Sequence, residues 1–275
     1  MINIQYDELI NTIKILLSIF IFGCLSYLYN KYIQIKHLNS LLENQNMFII
    51  TNEFCKCNTF KFYGYNLFTI PCYLCQVKRV INFENEAQVY DNLFNNITNK
   101  VKFIIHTNGG ETDLPNFITY ILKQHKVNVE SYIPRIALSA GSFIALSSNT
   151  IYMNWFSSMG PIDTQVTHNY NFSNDEEMDE TFAAKHIMNI KNQENALTKL
   201  RAMESSSYHS DDKFIISKIF NSSKSKKIIK NFLETPHSHS IRYGPKDLQQ
   251  FGLNVKIGIP NHIIEIFNLF IKLSN

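Results

Sequence analysis

The apolar residues of this chain fall into three regimes. Ile13 to Tyr29 (IKILLSIFIFGCLSYLY) is apolar on nearly every position apart from Lys14 and small hydroxyl residues, and Leu9 and Ile10 extend the run. Such a pattern suits a helix surrounded by hydrocarbon, for which about 20 residues span a bilayer core. Residues 30–46 read as a helical connector. From Met47 to Val80 the chain is aromatic and β-branched (MFIIT, then FKFYGYNLFTIP), with Asn58 and Gly64 supplying turns, which predicts two or three strands.

Beyond Glu84 the periodicity alternates. Residues 84–95 have helical spacing, VKFII at 101–105 is a short continuous apolar run, and the unit repeats: helix over 114–123, strand over 127–133, helix over 139–147, strand over 150–154. A helix feeding a buried strand, several times over, predicts an α/β fold on a parallel sheet, with strand ends and helix starts around one crevice. Past Gly160-Pro161 the chain turns polar. A helix from Asn174 to Tyr208, broken at Ser205–Ser207, is expected there, then helices at 214–220 and 225–233, a turn at Tyr243-Gly244-Pro245 and a last helix over 263–273.

Composition narrows this. The formal charge is only +3, from Lys+Arg 26 and Asp+Glu 23, and the basic residues are scattered, so nucleic acid is not an expected partner. The first apolar run reads as a retained membrane anchor rather than a cleaved signal peptide, because Asp7 and Glu8 precede it and no small-x-small site follows. A buried or interfacial amphipathic helix is the alternative. Lys31, Lys36 and His37 follow the run, which by the positive-inside rule keeps the C-terminal part in the cytosol. The division expected is an anchor at 1–30, a connector at 31–46 and one catalytic domain at 47–275. Cys24 lies in the apolar run. Cys55-x-Cys57 and Cys72-x-x-Cys75 could offer four thiolates to zinc, but the spacing is not that of a zinc ribbon and free thiols in a reducing compartment fit it better. No metal or other cofactor is expected.

Two bends carry candidate chemistry. His106-Thr107-Asn108-Gly109-Gly110 follows the VKFII strand; adjacent glycines turn without a Cβ clash and bring bare amides toward a bound group, as an oxyanion hole requires. Ile136-Ala137-Leu138-Ser139-Ala140-Gly141-Ser142 links a strand to a helix, and would point the Ser139 hydroxyl off a helix N-terminus where the dipole favours a developing anion. Read singly, the first is also an ordinary turn and the second an N-cap with a close helix contact.

Together, in this order, HTNGG, IALSAGS and Met159-Gly160-Pro161-Ile162-Asp163 resemble the serine dehydrogenase proteinase family, whose pattern is H-T-P-G-G, then S-A-G, then G-P-x-D. That family groups with the Clp protease proteolytic subunit and signal peptide peptidase A in the crotonase-like superfamily. The likeness runs from Met47 to the end, including a histidine-rich turn and "FGL" helix at 238–253. It implies a ClpP/crotonase-like ββα spiral, Ser139 as nucleophile, and the amides of Gly110 and Ala140 as oxyanion donors. Asn108 departs from the family's proline, which loosens that turn.

Serine needs a base. The strand after the nucleophile helix has no histidine where Clp protease has one, and His168 reads as a loop residue. In the signal-peptide-peptidase branch the base is a lysine some 40 to 50 residues on. Lys185, among Phe182, Ala183, Ala184 and Ile187, resembles that context and is the expected base; Lys191, in polar company, is the second candidate, and a third reading is that neither lysine serves. Asp163 either orients a lysine, binds a partner subunit or caps a following helix, and His237 and His239 read as an exposed turn. The resemblance implies ATP-independent hydrolysis of polypeptides by a membrane-bound homo-oligomer. An inactive protease-like scaffold and a crotonase-type acyl-CoA enzyme, for which Glu111 beside the Gly-Gly turn would be the candidate carboxylate base, are the alternatives.

Overall fold

The computed structural model describes residues 2–51, 58–62, 65–70, 80–81, 93–96, 98–110, 113–171, 177–183 and 196–274. The chain opens with α1 (Ile2–Asn44), one unbroken helix that runs through both the apolar run and the connector. A two-residue turn folds it back onto β1 (Met47–Thr51), the first strand of a six-stranded sheet with β4 (Val80–Ile81), β5 (Lys100–His106), β6 (Asn128–Ile133), β8 (Thr150–Met153) and β12 (Val255–Ile257). The order is β12-β8-β6-β5-β1-β4, and every neighbouring pair is parallel.

Parallel strands are buried on both faces, and the sequence pattern shows why. All five residues of β1 are buried. Its alternating side chains divide between two cores: Phe48 and Ile50 pack with Phe103, Ile105 and the helices α2 (Asp113–Gln124) and α3 (Ala140–Leu146), through Ile118, Leu122, Phe143 and Ile144. Met47 and Ile49 face the other way, against Leu38 and Leu42 of α1 and Ile266, Phe267 and Phe270 of α7 (Asn261–Ser274). Apolar burial of this kind contributes roughly 1.5–3 kcal/mol per large side chain. The strands β2 (Asn58–Phe62) and β3 (Tyr65–Ile70) form a separate antiparallel hairpin, as the turn residues between them predict.

A second, smaller layer sits at the strand ends. The strand β7 (Ile136–Ala137) pairs in parallel with β9 (Ser158–Met159), and single bridges extend the row to Thr107 on one side and Tyr243 on the other. This ladder carries both bends and the C-terminal turn.

The polar region differs from expectation. Instead of one helix from Asn174, β10 (Gln165–Asn171) and β11 (Glu177–Ala183) make an antiparallel hairpin. The long helix α4 (Ala196–Ile219) runs straight through Ser205–Ser207. Ser205 is buried, so packing overrides the weak helix preference of serine. The helix α5 (Ser222–Ile228) runs on into a π turn at Ile229–Leu233. The helix α6 (Pro245–Gln250) starts where the Gly-Pro turn predicts. The helix expected over 84–95 lies mostly outside the described residues, as do Cys55, Cys57, Cys72 and Cys75; Phe94–Asn96 is a single 3-10 turn.

Candidate active site

The strand β5 delivers His106 and Thr107 to the small ladder, where Leu138 N–H donates to the Thr107 carbonyl at 3.0 Å and Thr107 N–H to the Ile136 carbonyl at 3.3 Å. The Thr107 hydroxyl, buried, shapes the next bend: it accepts from Gly109 N–H at 3.0 Å and donates to the Gly109 carbonyl at 3.2 Å. Gly109 and Gly110 have φ of 115° and 147°, values that L side chains rarely adopt. At Gly109 there is a second requirement. A Cβ there would lie 2.6 Å from Ser139 Cβ and 3.2 Å from Ser139 Oγ. The two glycine-bearing bends, 30 residues apart by number, therefore touch.

Ser139 sits at φ 49° and ψ −118°, directly ahead of the first residue of α3, and its side chain makes no capping hydrogen bond. Ser139 thus occupies the N-cap position of α3, but its hydroxyl does not cap the helix. A non-glycine residue in that region costs roughly 1–3 kcal/mol and persists only where its surroundings fix it. Here they do: Gly141 N–H donates to the Leu138 carbonyl at 2.9 Å, Phe143 N–H to the Ser139 carbonyl at 3.1 Å, and the Ser142 hydroxyl bonds the Ala137 carbonyl while accepting from Gly160 N–H at 3.0 Å. Gly141 must be glycine, because any Cβ would run into the Thr107 methyl. Ser139 is half-buried, so its hydroxyl is not sealed in the core. Among the described residues the amide N–H groups of Gly110 and Ala140 donate no backbone hydrogen bond, which leaves them available as donors.

Further along the ladder lies a pairing that the sequence did not announce. Asp163 is buried, with 2% of its side chain exposed, and its Oδ1 meets Nδ1 of His239 at 2.7 Å. Gln165 Nε2 approaches the same carboxylate at 3.3 Å and His239 Nδ1 at 3.2 Å. No helix follows Asp163, so it caps none; strand β10 begins at Gln165. Nor is His239 an exposed turn residue, since only 29% of its side chain is open. Spacing offered no signal for this contact, because 76 positions separate the partners. Met159 N–H donates to the Tyr243 carbonyl at 3.0 Å and Tyr243 N–H returns to the Met159 carbonyl at 2.8 Å, which is what brings residues 239–243 beside the Gly160-Pro161 strap.

Next to Asp163, the Thr164 hydroxyl donates to Asp212 of α4 at 2.7 Å. Burial pushes the Asp212 carboxyl up to about 6, Asp211 and Asp163 add repulsion, and hydrogen bonds from Thr164 and Asn116 of α2 oppose the rise. Lys185, Lys191 and Glu111 lie outside the described residues. His168 belongs to strand β10, not to a loop.

A serine on a strained strand-to-helix bend, beside a Gly-Gly turn on a parallel α/β sheet, has the local geometry of a presented nucleophile. The ClpP-like SDH-type serine proteinase family matches residues 5–273, and the chain belongs to that family. Two uncharacterized proteins of Methanocaldococcus jannaschii are similar to it. One is 26% identical over 178 residues, 62% of this chain, and the other 35% identical over 66 residues, 24% of this chain. The first match covers 56% of that relative's length, so the chain spans about half of it. Among solved structures, the 1510-N membrane-bound stomatin-specific protease, in a mutant form with a substrate peptide, is 19% identical over 60% of this chain and 64% of that one, with a TM-score of 0.37. ClpP1 from Listeria monocytogenes is 12% identical over 82% of this chain and 99% of that one, with a TM-score of 0.42.

Proposed function

We propose that this chain is a membrane-anchored, ATP-independent serine peptidase acting on polypeptides. The contact between Gly109 and Ser139 is the observation that supports this reading, since it joins the bend that carries the Gly110 amide to the bend that carries Ser139 and Ala140. Ser139 Oγ attacks the scissile carbonyl carbon and loses its proton to a base, while Gly110 and Ala140 N–H hold the oxyanion. The C–N bond then breaks as the base protonates the leaving amine. Water hydrolyses the acyl ester and restores Ser139.

Lys185 is proposed as the base because its context resembles the lysine of the signal-peptide-peptidase branch. A second reading has one specific observation in its favour. The His239 imidazole, held at Nδ1 by buried Asp163, leaves Nε2 to accept a proton, with the carboxylate fixing tautomer and orientation. A fluorophosphonate probe tests both. It labels the parent chain and not Ser139→Ala; equal labelling of the two ends the proposal and favours a protease-like scaffold. Loss of the general base slows labelling by roughly 100-fold or more. Lys185→Met or His239→Gln, whichever shows that loss, identifies the base.

The anchor reading rests on α1, whose described part Ile13–Asn44 is long and apolar enough to cross a membrane, with a mean hydropathy of 1.6 in its most apolar window and none of that window buried. The residues that flank it support a cytosolic catalytic domain. Assembly into a homo-oligomer follows the family resemblance, and the segments 1–30, 31–46 and 47–275 then correspond to anchor, connector and catalytic domain.

A further inference from the structure

Anchor and body share one rod. Because α1 is continuous to Asn44, no flexible linker separates the segment exposed on all sides, 13–30, from Ile35, Leu38 and Leu42, which are buried against the sheet. About 20 residues, roughly 30 Å of helix, take a span that starts near Ile13 to the level of Tyr32. Tyr27, Tyr29 and Tyr32 are exposed at 56%, 64% and 56%, the placement of an interfacial aromatic belt. Within one turn of them the body begins: Lys31 Nζ donates to the Lys272 carbonyl of α7 at 3.4 Å. The headgroup layer and the surface of the folded body therefore coincide.

The end of the body that meets this layer can be identified. A two-residue turn reverses α1 onto β1, so moving back along α1 from Asn44 leads toward the C-terminal end of the strands. Helix α7 starts beside that end, where Gly258 N–H bonds the Met153 carbonyl at 2.8 Å. It then passes His106, the last residue of β5, whose ring lies 5.3 Å from that of Phe267, and finishes at Lys31. The helix that leaves the body thus leaves it at the end where the strands finish.

That end carries another aromatic feature. Trp155 and Phe156, in the turn after β8, are 80% and 55% exposed and pack edge to face on each other at 5.3 Å. They contribute nothing to either core. In the sheet order β8 is three strands from β1, roughly 14 Å at ordinary strand spacing. Between them, exposed Arg135 follows β6 and stacks its guanidinium over Phe267 at 5.6 Å. An indole with its N–H at the water boundary, an apolar partner and a nearby cation match the chemistry of a phospholipid headgroup and glycerol layer.

We propose that the Trp155-Phe156 turn is a second membrane contact, seated in the headgroup layer of the bilayer that α1 enters, which holds the Ser139 end of the sheet against the lipid surface. This rests on the reading of α1 as a membrane span. Two contacts set apart across the sheet fix the tilt of the body, which one helix alone would not.

The chain contains one tryptophan, so its emission reports this contact directly. The full chain in phosphatidylcholine vesicles is expected to show emission quenched at least about twofold by lipids brominated near the headgroup, and less by lipids brominated at the acyl tail. Phe156→Glu removes the quenching while the protein still resists carbonate extraction. Extraction-resistant protein whose tryptophan is open to acrylamide and indifferent to brominated lipid overturns the proposal. Blue-shifted emission that brominated lipid does not quench also overturns it, in favour of a contact between subunits. Release by carbonate removes the span and this proposal together, while labelling of Ser139 reports separately on the peptidase reading.

Discussion

Asp163 and His239 are 76 positions apart and meet at 2.7 Å, the carboxylate buried and the imidazole partly open. The contact joins the strap after β9 to the turn before α6, and it depends on the backbone exchange between Met159 and Tyr243 that brings these segments together. Gln165 reaches both partners and completes the polar group.

Removing the carboxylate takes the Nδ1 partner from His239 and leaves Gln165 the Asp163 backbone carbonyl. Asp163→Ala is expected to cost roughly 1–3 kcal/mol, read as a lower urea midpoint, because the partly buried donors of His239 and Gln165 lose a hydrogen-bond acceptor. Asp163→Asn keeps the shape and an acceptor oxygen and should cost less than half as much. Equal losses for the two would show that the hydrogen bonds contribute little.

Gly109→Ala meets two obstacles at once, the φ of 115° and the approach to Ser139 Cβ. The variant is expected to lose roughly 1–3 kcal/mol of stability. Its rate of fluorophosphonate labelling should fall by about 100-fold, the size of effect that follows loss of one oxyanion donor. Asn108→Ala, at an exposed neighbour, is the control that should leave both within a few fold.

Asp212 gives a pH signature. Its carboxyl is raised from 3.8 to about 6, so the folded chain holds this proton more tightly than the unfolded chain does. Stability from this group is present at pH 4 and is lost as pH rises through 6, a change on the order of 3 kcal/mol. Asp212→Asn, which retains an acceptor for Thr164, removes that loss. The urea midpoint of the variant relative to the parent should therefore climb between pH 4 and pH 7; a constant difference across that range would contradict the assignment.

The continuous run VKFII already pointed to a buried parallel strand, because a strand covered on both faces has no polar side to show. The two bends were equally legible, since glycine pairs and a serine ahead of a small-residue helix are local requirements of backbone geometry. Residues 165–183 were not. Their polar, weakly patterned sequence suits a helix as well as a hairpin, and the hairpin is selected by pairing between strands. Ser205–Ser207 misled for the same reason, as a buried position within a packed helix outweighs the few tenths of a kcal/mol by which serine disfavours it.

By itself the sequence determined the parallel α/β architecture, the apolar N-terminal helix and the conformations demanded at Gly109 and Gly110, all of which depend on neighbours along the chain. Only the tertiary structure decided that Gly109 lies against Ser139, that Ser139 adopts a positive φ, and that Asp163 takes His239 as its partner. Those are contacts between segments distant in sequence. Side-chain period and turn chemistry specify how a segment folds, whereas the identity of what it touches is settled by how the layers stack.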